Sequence, residues 1–94
     1  MKKALVALAI ALPFHVSASE MCETMGKLAE VIMEERQEGA KMRDMYSIVN
    51  TEIGKGLIRE AFKEPRYSTQ EMRDRAIVDF GNEVYRECIS SMNQ

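Results

Sequence analysis

Residues 40–64, AKMRDMYSIVNTEIGKGLIREAFKE, decide how this chain folds. At about 100° per residue, Met42, Met45, Tyr46, Val49 and Ile53 form one apolar stripe of a helix. Ile58, Ala61 and Phe62 form a second stripe, and on one continuous helix it would lie nearly opposite the first. A single straight helix cannot bury both against one core. Asn50, Thr51, Gly54 and Gly56 lie between the stripes, and glycine weakens a helix interior by about 1 kcal/mol relative to alanine. The stretch therefore reads as a short helix near 41–50, a bend at 50–56, and a second short helix near 54–64.

Helices flank it on both sides. Upstream, Cys22, Met25, Ala29, Ile32 and Met33 share a stripe flanked by Leu28, with Glu23, Lys27, Glu30, Glu34 and Glu38 largely away from it. Gly39 supplies the stop for this helix, expected at about 20–38, because it accepts the left-handed conformation. Downstream, Pro65 closes the second short helix, and Ser68-Thr69-Gln70-Glu71 matches a capping box with Tyr67 and Met72 as its hydrophobic staple. The helix so begun, at about 69–91, buries Ala76, Ile77, Phe80, Val84, Tyr85 and Cys88 and shows Arg75, Asp79, Asn82 and Arg86 to water. Gly81 gives a neighbouring helix room to approach.

Two cysteines set the topology. Cys22 and Cys88 allow one intramolecular pairing, with an intermolecular bridge or free thiols as the alternatives. In a three-helix up-down-up bundle they would sit at opposite ends, about 27 Å apart for an 18-residue helix at 1.5 Å per residue. A disulfide needs α-carbons within about 7 Å. An even number of antiparallel segments brings the ends together, which the split of residues 40–64 provides. The expected fold is all-α: a small bundle of four segments closed by a Cys22–Cys88 disulfide, with no strand signal and no internal repeat.

The first residues read as a cleavable signal peptide. Lys2 and Lys3 precede nine apolar residues, Ala4–Leu12, then Pro13 and the small-residue site Val16-Ser17-Ala18. The run is far short of the roughly 20 residues that span a bilayer. Ser19-Glu20-Met21 before Cys22 is unlike a lipid-attachment site. Cleavage after Ala18 leaves one domain, residues 19–94, of 94 − 18 = 76 residues. Its balance is 11 cationic against 15 acidic side chains, since Lys2 and Lys3 leave the 13 cations of the whole chain. Localisation in the periplasm or outside the cell, a soluble product and a disulfide-permitting compartment follow as expectations. An acidic surface argues against nucleic acid as partner.

The chemistry available is narrow. His15, the one histidine, leaves with the signal peptide, so the mature chain has no imidazole for a nucleophile's base or for a metal. No Cys-x-x-Cys motif and no phosphate-binding glycine loop occurs. Glu34-Glu35 and the pair Glu83 and Glu87 read as solvated helix faces. Met25, Met33, Met42 and Met45 lie on the apolar stripes, where methionine is an adaptable core filler; Met42-x-x-Met45 alone resembles a soft-metal spacing. No catalytic residue, metal site or cofactor is expected. The densest basic feature flanks Pro65, and Arg66, Tyr67, Arg73 and Arg75 form a candidate partner patch, against the default of a solvated, salt-bridged face.

The pattern Cys22, Leu28-Ala29, Ile32-Met33, Arg36-Gln37-x-Gly39, Pro65-Arg66-Tyr67-Ser68, Ala76-Ile77-x-x-Phe80 and Val84-Tyr85-x-x-Cys88 resembles small exported proteins of proteobacteria and their phages. That resemblance spans nearly the whole mature chain and implies no activity. A looser likeness, of architecture alone, is to acid-stress chaperones of the HdeA/HdeB kind. The expected function is non-enzymatic: a module that binds or inhibits an unidentified envelope or periplasmic protein, with a stress- or acid-responsive holdase as the alternative.

Overall fold

The computed structural model describes residues 17–92. They form four helices, α1 (Ala18–Gln37), α2 (Met42–Ile48), α3 (Glu52–Ala61) and α4 (Gln70–Met92), and among the described residues there is no strand. The leader reading falls mostly outside these residues. Its last two, Ser17 and Ala18, are described: the Ser17 hydroxyl accepts from the Glu20 backbone N–H and caps α1. The expected cleavage point after Ala18 thus lies in the first turn of this helix.

The order of apolar residues dictates α1. Cys22, Gly26, Ala29, Ile32, Met33 and Gln37 recur at three- and four-residue spacing and are its buried positions. Leu28, at 40% exposure, lies outside that face. Gly39 ends the helix as expected, with φ +100°. Its N–H donates to the Arg36 carbonyl and the Ala40 N–H to that of Glu35, at 3.1 and 2.9 Å, which satisfies carbonyls the helix leaves open.

Residues 40–64 do split into two helices, but the break is shorter than the expected bend, lies at its N-terminal edge, and does not come from the glycines. The break is Val49-Asn50-Thr51, where Val49 and Thr51 are extended, and both glycines lie inside α3. The short helices are accordingly 42–48 and 52–61, where 41–50 and 54–64 were expected. Thr51 starts α3 by accepting from the Gly54 N–H at 3.1 Å. A Cβ on Gly54 would stand 2.5 Å from Cγ1 of Val49, so this glycine allows the chain to double back tightly. The expected stripe of α2 is only half realised. Met45 is buried and Tyr46 and Val49 are half-buried, whereas Met42 and Ile53 are exposed. With seven residues, α2 packs chiefly on α3, where Arg59 donates to the Tyr46 hydroxyl and the Lys55 ammonium lies over the Tyr46 ring.

The cap of α4 also moves by one residue. Thr69, not Ser68, accepts from the Met72 N–H at 3.2 Å, and its carbonyl takes the first helical bond, from Arg73. Pro65–Tyr67 are tied to the end of α1, and Arg73 Nε donates to the Tyr67 carbonyl at 2.7 Å. These ties delay the turn into helix. The Ser68–Glu71 box is therefore not the cap, and Met72, at 41% exposure, does not close a staple.

Helices α1 and α4 are antiparallel along their length. Cys22 is bonded to Cys88, with sulfurs 2.04 Å and α-carbons 5.4 Å apart. A Cβ on Gly26 would lie 3.3 Å from the Gly81 carbonyl, and the Glu30 side chain covers Gly81. At the far end Gln37 meets Pro65 and Tyr67. The core of Ala29, Ile32, Met33, Met45, Leu57, Ile58, Ala61, Ala76 and Val84 lies where α1, α3 and α4 converge. Burying a side chain such as Met33 or Ile58, both fully covered, stabilises by about 1.5–3 kcal/mol each.

Candidate functional site

Both α3 and α4 rest on α1 and make only sparse contact with each other. What separates them is an open groove. One hollow of about 490 Å³ is lined by Glu60, Lys63, Glu64, Tyr67, Met72, Arg75, Ala76, Asp79, Phe80 and Glu83. It adjoins a second, of about 330 Å³, through the shared Glu60, Phe80 and Glu83, and this one reaches Met25, Leu57, Val84, Glu87, Cys88 and Ser91. The floor is apolar because Met72, Ala76, Phe80 and Val84 on α4 follow helical spacing toward α3. From α3, Leu57 and the 57% exposed Ile53 one turn earlier stand on the matching side.

The rim is acidic. Glu60, Glu64, Asp79, Glu83 and Glu87 face Lys63 and Arg75 alone. Three of the five carboxylates have local partners: Glu60 pairs with Lys63, Glu83 with Arg86, and Glu64 accepts from the Tyr67 hydroxyl at 3.2 Å. Asp79 and Glu87 have none among the described residues. Burial first, then the Glu64 carboxylate, push the Tyr67 hydroxyl above its ordinary titration range.

The expected basic patch is divided between two tasks. Arg66, Tyr67 and Arg73 meet at the junction of α1 with α4, whereas Arg75 stands on the groove rim. Arg66 Nε donates to the Gln37 carbonyl at 2.8 Å, and its guanidinium covers Gly39. Arg36 donates through Nε and one terminal nitrogen to the Glu64 carbonyl and lies over the Phe62 ring, 4.8 Å from its centre. At the centre is Gln37, 1% exposed. Its Nε2 donates to the Pro65 carbonyl and its Oε1 accepts from the Tyr67 N–H, both at 2.9 Å. One amide thereby satisfies two backbone groups that the turn leaves without partners. The local work of Arg66 and Arg73 is to hold this turn.

The disulfide lies at the other end, with Cys22 and Cys88 both buried and Met25 Sδ 3.7 Å from the Cys88 sulfur. Among the described residues no three His, Cys, Asp or Glu side chains gather as a metal site would require, and no helix is long and apolar enough to cross a membrane. Comparison with protein-family models, with curated proteins and with solved structures gives no match to this chain.

Proposed function

We propose that this chain is an exported binding module, one that recognises a protein of the cell envelope or periplasm and carries no reaction of its own. The supporting observation is the groove between α3 and α4: an apolar floor, a carboxylate rim and no segment of the described chain covering it. Apolar side chains framed by charge are the composition of a protein-recognition surface. A bundle tied at one end by a buried disulfide and at the other by Gln37 presents that surface on a rigid support, which limits the ordering cost of association. The leader-like residues 1–18 and the disulfide favour an oxidising compartment as its place of work.

The test is site-directed photocrosslinking in the cells that produce the protein. A photoreactive residue replacing Asp79, on the rim, should give a discrete adduct with one envelope protein. The same residue at Lys27, which lines the separate hollow beside Gly81 and Tyr85 and not the groove, should not. Equal crosslinking from both positions, or none from either, overturns the reading. A holdase would instead give a ladder of many adducts from the groove position.

A further inference from the structure

We infer that the occupant of the α3–α4 groove is a basic amphipathic helix of a partner protein. The inference rests on the binding-module reading and goes on to the chemistry of the partner. Shape gives the first reason. The groove side of α4 runs from Met72 to Ser91, about 28 Å at 1.5 Å per residue, along one straight helix. Its other wall is the C-terminal part of α3, with Leu57 and Glu60, continued by Lys63, Glu64 and Tyr67 of the following turn, and both helices rest on α1. The missing member of such a layer is a helix packed into the furrow between two others, its apolar stripe on Leu57, Ala76, Phe80 and Val84. The seven-residue α2 does not fill the place, because it packs on α3 through Tyr46, with Lys55 and Arg59 on the side away from Leu57 and Glu60.

Charge gives the second reason and fixes the sign. Around the hollow nearer Tyr67, Lys63 and Arg75 offset part of the acid. Around the hollow nearer Cys88, the charged lining is Glu60, Glu83 and Glu87 with no cation. A helix with lysine or arginine flanking its apolar stripe complements this rim, most strongly at Asp79 and Glu87, which have no partner among the described residues, whereas Glu60 and Glu83 are already paired with Lys63 and Arg86. An acidic helix is repelled there. A second copy of this chain carries the same excess of acid and is disfavoured on the same ground.

The experiment uses the oxidised mature protein and two fluorescent helical peptides of about 18 residues, long enough to cover the groove. They share a leucine stripe, and their remaining positions are lysine in one and glutamate in the other. The lysine peptide should bind at least about tenfold more tightly, with an affinity that falls as salt rises. The paired change Asp79→Lys with Glu87→Lys, at exposed rim positions, should weaken the lysine peptide by about tenfold. The paired change Glu23→Lys with Glu34→Lys alters net charge equally but away from the groove, and should weaken it by less than about threefold. Equal losses from the two pairs, comparable binding of both peptides, or binding insensitive to salt would each overturn the inference. The salt series on the unaltered protein decides the matter if a rim variant fails to fold. Weak lysine-peptide binding together with a discrete crosslink from position 79 would remove the basic helix and leave the binding module standing. Absence of that crosslink removes both.

Discussion

Replacing Gln37 by methionine should be among the most damaging single changes in this protein that touch neither cysteine. Methionine has nearly the same shape, so the pocket beside Met33 stays filled and little cavity energy enters. What is lost is chemical: the Pro65 carbonyl loses its donor and the Tyr67 N–H its acceptor, both at 2.9 Å. An orphaned buried polar group costs about 1–3 kcal/mol. Both bonds are only part-buried, so water can relieve some of this cost, and the sum falls at about 2–4 kcal/mol. A domain of this size has about 5–10 kcal/mol of stability in all. Urea unfolding of the oxidised protein, followed by circular dichroism, should show the midpoint falling by at least about a fifth at unchanged slope. Gln37→Glu keeps the acceptor for Tyr67 but sets a carboxylate oxygen against the Pro65 carbonyl, and should cost at least as much. A change below about 0.5 kcal/mol for Gln37→Met would refute the idea that this amide holds the turn, because ordinary surface substitutions fall within that range.

Three further outcomes follow from the same geometry. Replacing Cys22 and Cys88 by alanine removes a closure of 66 residues' separation, and in the chain-entropy picture should cost about 4 kcal/mol; calorimetry should show a loss of about 20 °C or more, given about 4–8 °C per kcal/mol in domains this small. Gly81→Ala places a Cβ 2.6 Å from the Glu30 Cγ, so it should destabilise alone but not in combination with Glu30→Ala, where the helix propensity of alanine is free to act; a double-mutant cycle reads the coupling. The raised titration of Tyr67 favours its neutral form in the folded chain, so its contribution is whole below about pH 10, the unfolded value, and is lost as pH rises through the higher folded value. Stability measured from pH 8 to 12 should therefore fall less steeply in Tyr67→Phe than in the unaltered protein.

Periodicity made the helices legible, and the reversal of stripe between Met45 and Ile58 made their number legible too. It could not say which residue breaks the chain. Glycine is a weak helix former on average, yet Gly54 serves a close approach to Val49 and stays helical, because Thr51 caps it. The same limit applies at Ser68 and Thr69, adjacent residues of equal capping chemistry; ties from Gln37 and Arg73 to the turn before them choose between the two. Gln37 itself left a trace, a polar residue four places after Met33 on the buried stripe. Polarity alone directs such a residue to water, and its role depends on a loop 28 residues away in sequence. The groove left least trace of all, since Phe80 and Leu57 look the same in sequence whether their helices touch or stand apart. What the arginines around Pro65 bind locally was likewise not encoded in their spacing.

The space between α3 and α4 is the proposed binding surface. Nitrogen-15 chemical-shift mapping of the folded, oxidised protein with the basic amphipathic peptide tests it most directly. Shifts should be confined to Leu57 and Glu60 on one wall and Met72, Ala76, Phe80, Val84 and Glu87 on the other. Shifts centred instead on Arg43, Tyr46 and Ser47, or on Glu23, Gly26 and Tyr85 across the molecule, would contradict it.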